Sequence, residues 1–256
     1  MRIVIKIGTS TLAYETGRLN IKRTESLCKI VSDLKNAGNE IILISSGAIG
    51  MGVGKLGLSA RPTDIPTKQA AASVGQCELM YTYDRIFSMY NHTVAQILLT
   101  REDVENETRR ENFHNTLSRL LELSVIPIVN ENDTVATEEI LIGDNDTLSA
   151  IVAKSIDADL LVLFSDIDGL YDKNPKLHSD ARLIPVVEAI DDGILAFAEG
   201  KGSSLGTGGM ATKLSAARIV TEAGIDMIIA NGAKPDLLYQ ITEGKPVGTL
   251  FRARRS

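Results

Sequence analysis

A chain of 256 residues with 44% hydrophobic content is long and apolar enough to bury a sizeable core, as one large domain or two small ones. Its formal net charge of -6 argues against general nucleic-acid binding, although Arg252, Arg254 and Arg255 form a basic tail that reads more simply as solvated. No apolar run is long enough to cross a bilayer, and Met1 to Lys6 lacks a signal peptide's apolar stretch and cleavage site, so a cytoplasmic location is expected.

Arg2 to Ile7 reads as a buried strand running into the turn Gly8-Thr9-Ser10. Lys6 interrupts the apolar run at the strand's C-terminal end, where a lysine either snorkels to water or serves a ligand. Leu27, Ile30, Val31 and Leu34 then follow helical spacing up to a terminating Gly38. Ile41 to Ile44 is a second strand, ending in Ser45-Ser46-Gly47-Ala48. Gly52 to Gly57 formally matches G-x-G-x-x-G, but it does not follow a strand directly, so the match is taken as accidental.

A long helix is expected from Lys68 to Tyr90, a strand from Thr93 to Thr100, and a helix around Phe113, Leu117, Leu120 and Leu121. Val125 to Val129 is the next strand, and its Pro127 suggests a sheet edge or a strand start. Asn130-Glu131-Asn132-Asp133 follows. Gly143-Asp144-Asn145-Asp146 opens a helix through Leu148, Ile151 and Val152. Leu160 to Phe164 is an apolar strand ending in Ser165-Asp166, with a turn-rich segment from Asp168 to Pro175.

Gly206-Thr207-Gly208-Gly209-Met210-Ala211-Thr212-Lys213 then leads into a helix bearing Ala216, Ile219, Val220 and Ala223. Glycine amides and a helix N-terminus can form an anion-binding hollow, with Lys213 in the first turn able to reach a phosphate. The alternative is a flexible surface loop. Strands at Ile225 to Ala230 and Gly248 to Phe251 complete the alternation. Strands alternating with helices predict an α/β fold, a three-layer αβα sandwich with a largely parallel central sheet. Without a linker-like boundary or a repeat, residues 1–256 read as one domain.

Cys28 and Cys77 read as buried free thiols, and His92, His114 and His178 are too scattered for a metal site or a triad. Lys6 and Lys213 each stand beside a glycine turn, with two Asn/Asp clusters between them. Taken singly, the clusters could be an Asx turn and a helix N-cap. Together these groups suit phosphoryl transfer between two anions. Asp133 could pair with an acceptor's ammonium, and Asn145 or Ser46 could bond a carboxylate.

Five motifs in order, Lys6 to Ser10, Ser45 to Ala48, Asn130 to Asp133, Gly143 to Asp146 and Gly206 to Lys213, resemble those of the glutamate 5-kinase branch of the amino acid kinase family across essentially the whole chain. The resemblance implies ATP-dependent phosphorylation of the side-chain carboxylate of L-glutamate. Lys6 and Lys213 would then stabilise the transferring group, with Asp146 orienting both. Ser46, Gly47, Asp133 and Asn145 would hold glutamate.

ATP would lie on Lys6, Gly8, Thr9, Ser165, Asp166, Thr207, Gly208, Gly209, Met210, Ala211, Thr212 and Lys213, with Mg2+ on its phosphates and no metal assigned to protein side chains. Homo-oligomerisation and feedback inhibition by L-proline are family traits. So is a C-terminal PUA domain, and the resemblance implies a kinase unit without it. Two rivals are a kinase for N-acetylglutamate or carbamate, which lack a free ammonium, and a non-catalytic sensor of an amino acid or nucleotide.

Overall fold

A computed structural model describes residues 1–14, 18–135, 145–197 and 209–254. The chain opens with β1 (Arg2–Ile7), the short α1 (Thr9–Leu12), α2 (Ile21–Asn36), β2 (Glu40–Ser45), α3 (Ala48–Leu56) and α4 (Ile65–Ser88). It continues through β3 (Val94–Leu99), α5 (Arg101–Glu105), α6 (Glu107–Glu122), β4 (Ile126–Glu131), α7 (Asn145–Ser155) and β5 (Leu160–Ser165). The last third holds β6 (Val186–Val187), α8 (Asp192–Ala196), α9 (Met210–Glu222), β7 (Asp226–Asn231), α10 (Leu237–Thr242) and β8 (Thr249–Phe251).

Among the described residues these strands form one eight-stranded sheet in the order β3-β4-β2-β1-β5-β7-β8-β6. Every pairing is parallel except that of β7 with β8. Helices cover both faces, because a parallel sheet needs crossovers and buries both of its sides. Side chains alternate along each strand, so β1 sends Ile3, Ile5 and Ile7 into a core shared with α2 and α4. Val4 goes to the opposite core, among α6, α7 and α9. Lys6, two residues on from Val4, falls on that second face. None of the described helices is long and apolar enough to cross a membrane.

Pro127 is not at a sheet edge, since β4 lies between β3 and β2. It is the second residue of the strand and precedes Ile128, where pairing with β2 begins, so its missing N–H costs no bond on that side. Cys28 is buried as expected, but Cys77 is exposed. On α4 the inward stripe runs through Ala72, Gln76, Leu79 and Tyr83, and Cys77 lies one step off it.

The glycine-rich stretch after β2 folds as α3, which glycine's poor helix propensity had hidden. Its justification is tertiary. A Cβ on Gly75 would lie 1.7 Å from the Ala48 carbonyl oxygen, and one on Gly52 would lie 1.8 Å from that of Ala71. The backbones of α3 and α4 therefore touch, and the accidental-looking motif supplies a packing glycine. Gly75→Ala should cost about 2–4 kcal/mol through forced separation of the two helices. Cys77→Ala, on the exposed side of the same helix, should change stability by no more than about 0.5 kcal/mol. Urea unfolding of the two variants beside the parent checks the contrast.

Candidate active site

Because β4, β2, β1, β5 and β7 are mutually parallel, their carboxyl ends stand side by side on one rim. Along it come Asn130 and Glu131, Ser45 and Ser46, Lys6 and Gly8, Ser165 and Asp166, and Asn231. At about 5 Å per strand, the β4 and β5 ends lie about 15 Å apart. The Ser46 N–H donates to the Ile7 carbonyl at 3.1 Å, tying two of these ends together. Gly47 follows at φ 101°, a left-handed conformation natural only to glycine, and starts α3.

At the centre of the rim, Asp146 occupies the second position of α7 and is fully buried. One of its carboxylate oxygens lies 2.7 Å from Lys6 Nζ and the other 3.0 Å from Lys213 Nζ. Lys6 is 8% exposed and Lys213 5%, so neither lysine snorkels to water. The Thr212 hydroxyl stands 3.1 Å from Asp146 Oδ2 and 2.8 Å from the Gly209 carbonyl oxygen. Burial pushes the Asp146 carboxyl up, but Lys6 and Lys213 outweigh it and bring its pKa down to about 2. Among the described residues, two cations sharing one anion leave an excess of positive charge at the rim, which suits a second anion.

Toward β4, Asn145 Nδ2 donates to Ser46 Oγ at 2.7 Å, and to the Ser45 carbonyl and Asn130 Oδ1 at 3.2 Å each. Asn130 Nδ2 in turn donates to Gln76 Oε1 at 2.9 Å. Asn145 thus has its two amide hydrogens engaged by three protein acceptors, and its unpartnered buried atom is the acceptor Oδ1. This makes Asn145 a poor donor to a carboxylate. Beside this chain opens a pocket lined by Ala48, Ala72, Gln76, Leu98, Glu131, Asn132, Asp133 and Thr134. Burial raises Asp133 against the pull of Arg61. Burial, and then the Asp133 charge, raises Glu131 to about 7.

On the other side of Lys6, Ser165 is buried at the end of β5, and exposed Asp166 lies 3.8 Å from Lys176. Gly8 lies against Lys6 Nζ, and Thr9 is exposed at the start of α1. Gly209 caps α9, with Met210, Ala211 and Thr212 as its first turn. Gly143, Asp144, Gly206, Thr207 and Gly208 lie outside the described residues. Among the described residues no three His, Cys, Asp or Glu side chains gather as a metal cage would.

Gln76 and Glu131 are the site groups that sequence reasoning passed over as individuals. Gln76 had a signal, a lone amide on the apolar stripe of α4. Glu131 stood inside a motif already singled out.

This geometry belongs to a family. The chain is a member of the amino acid kinase family, whose model matches residues 1–231. It is similar to glutamate 5-kinases: 56% identical to that of Clostridium tetani over 98% of this chain and 94% of the relative, and 51% identical to that of Clostridium perfringens over 99% and 96%. A longer glutamate 5-kinase, from Caldanaerobacter subterraneus, is 50% identical, with 98% of this chain matching 68% of that protein.

The fold itself is shared more widely. Carbamate kinase from Giardia lamblia, bound to AMP-PNP, superposes with a TM-score of 0.70 at 15% identity, over 98% of both chains. Isopentenyl phosphate kinase from T. acidophilum gives 0.67 at 17%, over 98% of this chain and all of that one.

Two substitutions probe the electrostatics. Asp146→Asn removes the carboxylate charge that Lys6 and Lys213 share and should cost about 3–5 kcal/mol at pH 7. In the parent the Asp146 contribution is complete above the unfolded carboxylate value near pH ~4 and fades as pH falls through about 2, which acid unfolding followed in both proteins would resolve. Glu131 has the opposite sign. The folded state keeps its proton up to about pH 7, whereas the unfolded chain releases it near pH ~4.3, so its effect lowers stability as pH rises between those values. Glu131→Gln should flatten that part of the profile. Thermal melts at pH 5, 6 and 8 that stay parallel for the two proteins would contradict the assignment.

Proposed function

We propose that this chain is a glutamate 5-kinase, transferring the γ-phosphoryl group of ATP to the side-chain carboxylate of L-glutamate to give L-glutamyl 5-phosphate, the first step of proline biosynthesis. The observation that carries the reading is Asp146 shared between Lys6 and Lys213 beside an acidic pocket, in a chain 56% identical to a glutamate 5-kinase.

The chemistry needs no general base. A glutamate side chain with pKa ~4.3 is ionised at pH 7 by roughly 500 to 1, so the nucleophile is already formed. A carboxylate oxygen attacks the γ-phosphorus, the bond to the bridging oxygen breaks, and ADP leaves with that electron pair. The barrier is the repulsion between carboxylate and triphosphate. Lys6 and Lys213 counter it with fixed charge, and Asp146 holds both ammonium groups in place, so little reorganisation is needed as charge shifts.

Asp133 and its neighbour Glu131 suit the substrate's ammonium, and the Ser46 hydroxyl, which accepts from Asn145, keeps its own hydrogen for a carboxylate. That acidity also argues for free glutamate over N-acetylglutamate. The β5 end, with Ser165 and Asp166, and the Thr207–Lys213 segment would face ATP. Mg2+ fits on the nucleotide's phosphates, because both Asp146 oxygens already face lysines and no acidic cage forms among the described residues. When bound there it would supply further charge neutralisation.

The reading also includes one kinase domain over residues 1–256, a cytoplasmic homo-oligomer and feedback by L-proline. Coupled ADP release should depend on L-glutamate, proceed poorly with N-acetylglutamate, and fall on adding L-proline. Lys213→Ala should lower kcat by about 10²–10³-fold while calorimetric binding of glutamate survives. Near-normal turnover in that variant would remove Lys213 from the mechanism.

A further inference from the structure

The hydrogen-bonded side chains behind the pocket have a direction. The Ser45 carbonyl can only accept, so the Asn145 atom facing it must be the amide nitrogen. That nitrogen also faces Asn130 Oδ1, which turns the Asn130 amide nitrogen toward Gln76 and makes the Gln76 atom facing it the oxygen. The amide nitrogen of Gln76 is left over. It is buried and unpartnered on a side chain that is only 8% exposed and that lines the pocket with Glu131 and Asp133. A buried donor without an acceptor costs about 1–3 kcal/mol, which an arriving acceptor would recover.

We propose that Gln76 contacts the acceptor substrate directly, its side-chain N–H donating to the α-carboxylate of the amino acid. The assignment rests on the glutamate kinase reading above and adds a specificity residue to it. A free amide N–H cannot bond an ammonium, which has no lone pair to offer. The reacting carboxylate belongs at Lys6 and Lys213, on the far side of Asn145. The α-carboxylate is the remaining acceptor, and it enters an acidic pocket beside Asp133, whose carboxylate would repel it unless a fixed donor were present. Asn145, with its hydrogens engaged elsewhere, does not supply one.

Two variants of the whole chain test this against L-glutamate and its α-amide, which differ only at the proposed contact. Gln76→Met removes the donor and should weaken glutamate binding by about 10- to 100-fold by calorimetry, with KM for ATP unchanged. Gln76→Glu keeps an oxygen for Asn130 but presents a carboxylate where the donor stood. It should disfavour glutamate and accept the α-amide, shifting the glutamate-to-amide ratio of kcat/KM by at least about tenfold toward the amide.

Turnover of glutamate by the parent is the separate control on the functional reading. With that in place, glutamate affinity unchanged in Gln76→Met would overturn the contact. Equal loss of both ligands in Gln76→Glu, together with a lowered melting temperature, would assign Gln76 to packing and overturn it too.

Discussion

The site depends on one buried carboxylate holding two ammonium groups that would otherwise repel each other. Burying three charges carries a desolvation cost that mutual attraction offsets only if the geometry is close, and here each lysine has its own oxygen of Asp146. The outcome is rigid positive charge in a dry setting, where it acts on an incoming anion more strongly than the same charges would in water. Three chain segments far apart in sequence must meet for this to exist. Position 6 comes from the first strand, 146 from α7 and 213 from α9.

The parallel sheet is what brings them together. Parallel strands deliver their carboxyl ends to one rim, and strand alternation decides that Lys6, sharing a face with Val4, looks toward α7 and α9. The rim is then polarised along its length. An acidic pocket lies at β4, fixed cations stand at β1, and the β5 end lies beyond. On the proposed reading, a zwitterionic amino acid entering such a field would be oriented before any specific contact forms, its ammonium toward the acidic pocket and its side-chain carboxylate toward the lysines. The backbone contact of α3 with α4 carries Gln76 to the wall of the same pocket, so the packing contact and the proposed recognition contact share one pair of helices.

Much of this was legible early, because long apolar runs and helical spacing are local signals. The principal strands and the helices from α2 to α9 with clear apolar stripes follow directly from period 2 and period 3.6. The elements that escaped were the short or glycine-rich ones, α3 above all, whose stability comes from close approach to α4 and not from propensity. Cys77 was misplaced, and Pro127 could be read only as a sheet edge or a strand start, the second of which holds, for a related reason. Which side of a helix faces inward, and whether a strand is interior, depend on neighbours that a local window does not contain.

Residue types and their order determined the alternating α/β architecture, the placement of lysines beside glycine turns, and the clustering of Asn and Asp at strand ends. These follow from backbone geometry and polarity along the chain. Tertiary structure alone decided that Lys6 and Lys213 share Asp146, that Asn145 spends its amide hydrogens on the protein, and that Gln76 lines the pocket with its buried amide nitrogen unpartnered. Hydrogen bonds and ion pairs across 54 to 140 residues are set by which elements pack together, and no local pattern encodes the direction in which an amide points.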